Sequence, residues 1–169
     1  MERTGIITFK GQGMTLLGQG VKVGDEAPDF AAVDSGLAPV RLSDFKGQVI
    51  IISAVPSLDT PVCELQTTRF NEEASSLKAK IVTISMDLPF AQKRFCSVHD
   101  INNITLLSDY QERDFAMKYG LLIKELKLIA RAIFVIGKDG RIAYMEIVPE
   151  VTNHPDYDKA LEAAKRLIS

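Results

Sequence analysis

Two short runs constrain this chain more than any other feature: "QVIIISAV" at 48–55 and "KIVTISMD" at 80–87. Both are β-branched and apolar on nearly every residue, the pattern of central strands covered on both faces. The segment between them carries Val62, Leu65, Phe70, Ala74 and Leu77 at helical spacing, which predicts a helix over 61–78. A strand, a helix and a second strand in that order form a crossover unit, so the two strands should run parallel.

The remaining elements follow from turn chemistry and periodicity. Residues 4–18 alternate loosely around Lys10-Gly11-Gln12-Gly13 and read as an N-terminal β-hairpin. A second helix is expected from Pro89, with Ala91, Phe95 and Val98 repeating along it. A strand at 104–109 and a helix at 111–119, stopped by Gly120, come next. Strands at 131–137 and 141–148 are joined through Asp139-Gly140, a type I′ hairpin signal. The last helix, 155–168, places Tyr157, Leu161, Ala164 and Ile168 on one face. The outcome is an α/β fold with a mixed central sheet flanked by helices, in a single domain spanning 1–169.

Charge and composition exclude several classes of function. The 169 residues carry a net charge of −2 and no Lys/Arg block, so the electrostatic footprint of a nucleic-acid binder is missing. No apolar run of signal-peptide length opens the chain and no stretch approaches a membrane span, so a soluble, cytoplasmic protein without a membrane partner is expected. Two cysteines are too few for a secreted disulfide scaffold. In a reducing compartment such a pair is more often catalytic, redox-sensing or metal-bound.

The segment "PSLDTPVC" gives one of them a specific setting. With Pro61 at the first helical position, Thr60 falls at the N-cap and Cys63 at the third position. That position belongs to Glu in a capping box, where a negative charge meets unpaired N–H groups and the positive end of the helix dipole. A thiolate would be favoured there too. Thr60 could accept from a helix N–H while donating its own proton to the sulfur or to a substrate. The plainer reading is a capped helix beside a small buried cysteine.

Acidity alone accelerates little. Moving a thiol from ~8.5 to ~6 raises the thiolate about 30-fold at pH 7 but cuts its nucleophilicity roughly 13-fold, a net gain near twofold. Efficient chemistry needs donors that align the electrophile and stabilise the leaving charge. Arg131, at the mouth of an otherwise apolar strand in "KLIARAIFVIG", suits that work, because a guanidinium there is costly unless it meets an anion. A strand-end arginine reaching water or a carboxylate is the alternative.

Cys96 lies 33 residues beyond Cys63, on the second helix. Two cysteines inside separate intact helices seldom come within the ~7 Å between Cα atoms that a disulfide demands, so local unwinding around both residues is expected when they join. A thioredoxin-like thiol-disulfide oxidoreductase is one rival, but Glu64, Leu65 and Gln66 stand where a CxxC motif would continue. A metal-binding module using both cysteines with His99 or His154 is another, though it lacks CxxC or HxxxH spacing. Asp87, ahead of Pro89, reads as a helix-capping residue, and Phe90, Phe95 and Val98 as packing.

These motifs resemble a known family. The pattern of Pro56, three residues, Thr60, two residues, Cys63 is that of the peroxiredoxin active site, and "SLDTPVCELQTTRFNEEA", "ISMDLPFAQKRFC", "ARAIFVIG" and "EVTNHPDYDKAL" are similar to the bacterial thiol peroxidases, atypical two-cysteine peroxiredoxins. The resemblance covers nearly the whole chain and implies a thioredoxin-like fold with an N-terminal hairpin. It implies that Cys63 is the peroxidatic cysteine, attacking hydrogen peroxide or an organic hydroperoxide to give a sulfenic acid. Cys96 is then the resolving cysteine of an intramolecular disulfide, reopened by thioredoxin or an equivalent dithiol reductant. Thr60 and Arg131 orient the peroxide, and Pro56 shapes the pocket. The resemblance further implies a homodimer and no cofactor or metal.

Overall fold

A computed structural model describes residues 1–168. The chain opens with a hairpin of β1 (Glu2–Phe9) and β2 (Gln12–Leu17), turned by Lys10 and Gly11, both at positive φ. Two three-residue strands follow, β3 (Ala31–Val33) and β4 (Pro39–Arg41), then a single 3-10 turn at Leu42–Phe45. The expected crossover unit is present as β5 (Ile50–Ala54), α1 (Pro61–Ala74) and β6 (Lys80–Ser85), with β5 and β6 parallel and in register from Ile50–Lys80 to Ala54–Ile84.

Beyond it lie α2 (Pro89–His99), β7 (Thr105–Ser108), α3 (Asp114–Lys118), β8 (Leu122–Ile123), β9 (Ala132–Ile136), β10 (Ile142–Ile147) and α4 (Tyr157–Ile168). The main sheet has seven strands in the order β10-β9-β5-β6-β7-β3-β4. β5, β6 and β7 run parallel, and β9 lies antiparallel to β5, so the sheet is mixed. The N-terminal hairpin and β8 form a separate three-stranded sheet.

Alternation along β5 sorts the interior into layers. Ile50, Ile52 and Ala54 point into one apolar cluster with Phe115, Tyr119 and Phe134, under α3 and the smaller sheet. Ile51 points the other way, with Phe70, Ile133 and Val135, against α1 and α4. Helices on both faces keep all five residues of β5 buried.

Several boundaries differ from the sequence expectation. α1 stops at Ala74, because the hydroxyls of Ser75 and Ser76 bond back to the carbonyls of Glu72 and Glu73 and end the helical run. α3 begins only at Asp114: Arg113 takes a left-handed conformation (φ 52°), and the Asp109 carboxylate accepts the N–H groups of Phe115 and Ala116. Gly120, at φ +69°, ends the segment as anticipated. α4 begins at Tyr157 behind Asp156, whose carboxylate accepts from Lys159 N–H. In the β9–β10 hairpin only Gly140 of the Asp-Gly pair has positive φ, and Gly137 N–H donates to Arg141 C=O, so the turn is wider than type I′.

The inward face of α1 also differs. Cys63, Gln66, Thr67, Phe70 and Asn71 are buried, whereas Leu65 is 55% exposed. Polar side chains fill this face because they bind polar groups beneath them: Gln66 holds Ser53, and Asn71 accepts from the backbone of Asn102 and Asn103.

Candidate active site

Thr60 and Cys63 occupy the predicted places at the start of α1. Thr60 is the N-cap, with extended backbone (φ −111°, ψ 148°), and its carbonyl accepts from Glu64 N–H at 2.9 Å. Its hydroxyl does not cap the helix. It donates instead to the Ser57 carbonyl at 3.1 Å, because the chain turns back at 57–60 and brings that carbonyl within reach of its proton. The N–H groups at this end of α1 therefore have no side-chain acceptor, and they face the place where an anion is favoured.

Cys63 is fully buried and free. It packs with Val55, Leu58, Phe95, Ile101 and Leu106, and half-buried Cys96, also free, packs against the same cluster. The two sulfur-bearing residues thus share one apolar pocket while each stays in an intact helix. Burial pushes the Cys96 thiol above its ordinary value. Pro56 is buried directly after β5, at the entry to the loop that leads to α1.

The Cys96 carbonyl receives the N–H groups of both Asp100 and Ile101, closing α2 on a left-handed Asp100 (φ 55°, ψ 47°). A further contact ties the cysteine-bearing helices: His99 Nδ1 lies 3.5 Å from Glu64 Oε1, and the His99 ring packs on Phe95 with centroids 4.3 Å apart.

Arg131 stands immediately before β9, 2% exposed. Its Nε donates to Val151 C=O at 2.8 Å and its Nη1 to Gln66 Oε1 at 3.0 Å. Both partners are neutral oxygens, so the guanidinium is fixed in place while its charge remains available to an anion. Tyr157 senses the same neighbourhood: burial raises its phenol above the ordinary value of 10, Arg131 and Arg69 lower it, and the Cys63 sulfur raises it. Its ring also lies under the Arg69 guanidinium at 5.2 Å.

Sequence reasoning missed Gln66 and misassigned Asp87. Gln66 is the acceptor that orients Arg131, and its only sequence signal is its position, one helical turn beyond Cys63 on the inward face. Asp87 does not cap α2, whose N-cap is Leu88; its carboxylate is already committed to Ser57, Leu58 and Ser85. Phe95 is packing as expected, but Phe90 and Val98 are 65% and 71% exposed, because they lie on the outward side of α2. Among the described residues, neither His99 nor His154 belongs to a group of three or more His, Cys, Asp or Glu side chains that could hold an ion. Nor, among these residues, is any helix long and apolar enough to cross a membrane.

Comparison with known proteins gives the family and the fold. The Redoxin family profile matches residues 22–161. The chain is 54% identical over 160 residues to the thiol peroxidase of Halalkalibacterium halodurans, covering 94% of this chain and 96% of that one. It is 52% identical over 163 residues to the thiol peroxidase of Bacillus subtilis, covering 96% and 98%. A peroxiredoxin-like protein from Aquifex aeolicus superposes with a TM-score of 0.91 at 44% identity, covering 98% of this chain and 97% of that one. The fold is shared with a thiol peroxidase from Chromobacterium violaceum at a TM-score of 0.83 and 23% identity, covering 95% of each chain. On the thioredoxin-like architecture and on similarity running through nearly its whole length, the chain belongs to the Redoxin family and, within it, to the bacterial thiol peroxidases.

Proposed function

We propose that the thiol-dependent peroxidase activity of this chain resides at Cys63, with Cys96 as its resolving partner. The observation that carries the reading is one apolar cluster that holds buried Cys63 and receives half-buried Cys96, on a helix that Gln66 ties to an arginine whose own partners are uncharged.

The Cys63 thiolate attacks one oxygen of the peroxide, forming an S–O bond as the O–O bond breaks. The leaving oxygen takes a proton and departs as water or an alcohol, and Cys63 becomes a sulfenic acid. Arg131 and the N–H groups at the start of α1 stabilise the charge that moves onto that oxygen, and buried Pro56 keeps bulk water away. Thr60, with its hydroxyl held by Ser57, helps to align the peroxide.

Cys96 then attacks the Cys63 sulfur, a disulfide forms and water leaves. Because both cysteines sit in intact helices, the last turn of α2 unwinds for this step. A dithiol reductant of the thioredoxin type reopens the disulfide, becoming oxidised as the two thiols are restored. The reading includes a single domain, a cytoplasmic protein with no metal or cofactor, and a homodimer in which exposed Phe90 and Val98 supply apolar surface.

The test is peroxide consumption with thioredoxin and its reductase. Cys63→Ser should abolish turnover, while Cys96→Ser should keep one stoichiometric oxidation and lose efficient recycling. Full turnover in Cys63→Ser removes the assignment. Light scattering of the purified protein tests the dimer.

A further inference from the structure

The loop that leads to Cys63 is held by one carboxylate that lies just beyond the end of the neighbouring strand, β6. Asp87 Oδ1 accepts from Ser57 Oγ at 2.8 Å, and Oδ2 accepts from Leu58 N–H and Ser85 Oγ, each at 2.7 Å. Asp87 is itself pinned, since its N–H donates to Ser85 Oγ at 3.2 Å and its carbonyl accepts from Ser108 Oγ at 2.5 Å. Three donors converge on a carboxylate anchored to the ends of β6 and β7, and two of them belong to the loop before α1. That much hydrogen bonding exceeds what an N-cap would need, and none of it serves α2.

The two loop residues lead to the reacting centre by separate routes. Ser57 gives its hydroxyl proton to Asp87 and uses its carbonyl to hold the Thr60 hydroxyl at 3.1 Å. Leu58, fixed through its amide, buries its side chain (3% exposed) in the cluster that surrounds Cys63. One carboxylate therefore sets both the orientation of a proposed substrate-aligning hydroxyl and one wall of the sulfur's pocket. Asp87 also lies two residues before α2, so the loop preceding one cysteine is fastened to the segment that introduces the other.

We infer that Asp87 is a positioning residue for peroxide reduction, holding the Ser57–Thr60 loop, through Ser57 and Leu58, in the geometry from which Cys63 reacts. This rests on Cys63 being the residue that peroxide oxidises. Displacements of about 1 Å at a reacting centre cost up to roughly 100-fold in rate, so a loop tether of this kind has large leverage without touching substrate.

The experiment compares full-length wild type with Asp87→Ala, Asp87→Asn and Ser57→Ala. Rapid quench and mass spectrometry follow Cys63 oxidation by hydrogen peroxide, and alkylation of the same thiol by iodoacetamide serves as a reaction that needs no aligned O–O bond. Asp87→Ala should lower the ratio of the peroxide rate to the alkylation rate by about tenfold or more. Ser57→Ala, which removes one of the tethers, should lower it by about fivefold. Asp87→Asn should stay within about threefold of wild type, because the amide oxygen can still accept from Leu58 and Ser85 while its NH2 donates to Ser57 Oγ.

A wild-type ratio in Asp87→Ala, or an Asp87→Asn ratio as low as that of Asp87→Ala, overturns the inference. Should Asp87→Ala fail to fold, a wild-type ratio in Ser57→Ala overturns it by itself. Oxidation of wild type at Cys96 in place of Cys63 would overturn the underlying reading, whereas oxidation at Cys63 with unchanged ratios would overturn only the role of Asp87.

Discussion

Gln66 Oε1 accepts a 3.0 Å hydrogen bond from Nη1 of Arg131, while Gln66 Nε2 donates to Ser53 Oγ at 2.7 Å. The amide is thus held at both ends, and α1 is joined one turn beyond Cys63 to the residue just before β9. Replacing Gln66 by Leu leaves a buried guanidinium N–H without its acceptor, a loss of about 1–3 kcal/mol that lowers the melting temperature by several degrees. Gln66→Glu should retain the fold but place a carboxylate against the guanidinium. The peroxide rate should then fall, because the charge meant for the reacting anion is already paired. A wild-type rate in Gln66→Glu would remove the charge of Arg131 from the reaction.

Thr60→Val isolates the hydroxyl that Ser57 holds. The valine keeps the β-branched shape at the N-cap but cannot donate to the Ser57 carbonyl. Stability should fall by only about 0.5–1.5 kcal/mol, the worth of the bond to Ser57, since the hydroxyl makes no capping bond to lose as well. Peroxide reactivity should drop by well over the roughly twofold that thiol acidity alone can supply. An unchanged second-order rate would exclude Thr60 from the mechanism.

The central crossover was legible because β5 and β6 are buried on both faces, and burial writes itself into sequence as unbroken apolar runs. The place of Cys63 at the third position of α1 is legible because proline, cap and cysteine fall at fixed offsets. What the sequence hid is of two kinds. Strands of three residues, Ala31–Val33 and Pro39–Arg41, and the two-residue Leu122–Ile123 are too short to show any period, and tertiary pairing creates them. Buried polar residues such as Gln66, Thr67 and Asn71 invert the usual pattern, so apolar spacing along α1 includes Leu65, which is exposed, and passes over Gln66, which is buried. Asp87 reads as a cap for a related reason: an acidic residue ahead of a proline-started helix has the local appearance of one, and two of its partners, Ser57 and Leu58, lie about 30 residues away.

Asp100 closes α2 in the left-handed region, a conformation that a non-glycine residue adopts at a cost. Asp100→Gly should relieve that strain and stabilise the last turn of α2 by about 0.5–1 kcal/mol. If this turn unwinds to free Cys96, disulfide formation after peroxide treatment should slow severalfold while Cys63 oxidation keeps its rate. Disulfide formation as fast as in wild type, in a variant shown by urea denaturation to be more stable, would place the opening elsewhere.

Burial pushes the Cys96 thiol up, so at neutral pH only a small fraction of it is the nucleophilic thiolate. The rate of disulfide formation from the Cys63 sulfenic acid should therefore climb about tenfold per pH unit between pH 7 and pH 8. Rapid alkylation at timed intervals reads that step separately from the first oxidation. A flat profile across this range would mean that opening of α2, not attack by sulfur, limits the rate.

Asp109 supplies a pH signature of the fold. Its carboxyl is 2% exposed, and burial raises its pKa from 3.8 to about 6 against the opposing pull of the Ala116 and Phe115 N–H groups. The folded chain thus holds a proton more tightly than the unfolded chain. The associated stability is fully present below pH 3.8 and is lost as pH rises through about 6. A shift of about 2 units corresponds to roughly 3 kcal/mol. Asp109→Asn cannot titrate and offers one oxygen to two N–H groups, so it should be less stable than wild type but lack this dependence. Groups elsewhere are common to both proteins and cancel in the difference. Urea denaturation should find the stability gap between wild type and Asp109→Asn larger at pH 4 than at pH 7, by up to about 3 kcal/mol. A gap that is equal at the two pH values, or larger at pH 7, would show that the α3 cap keeps its charge when folded.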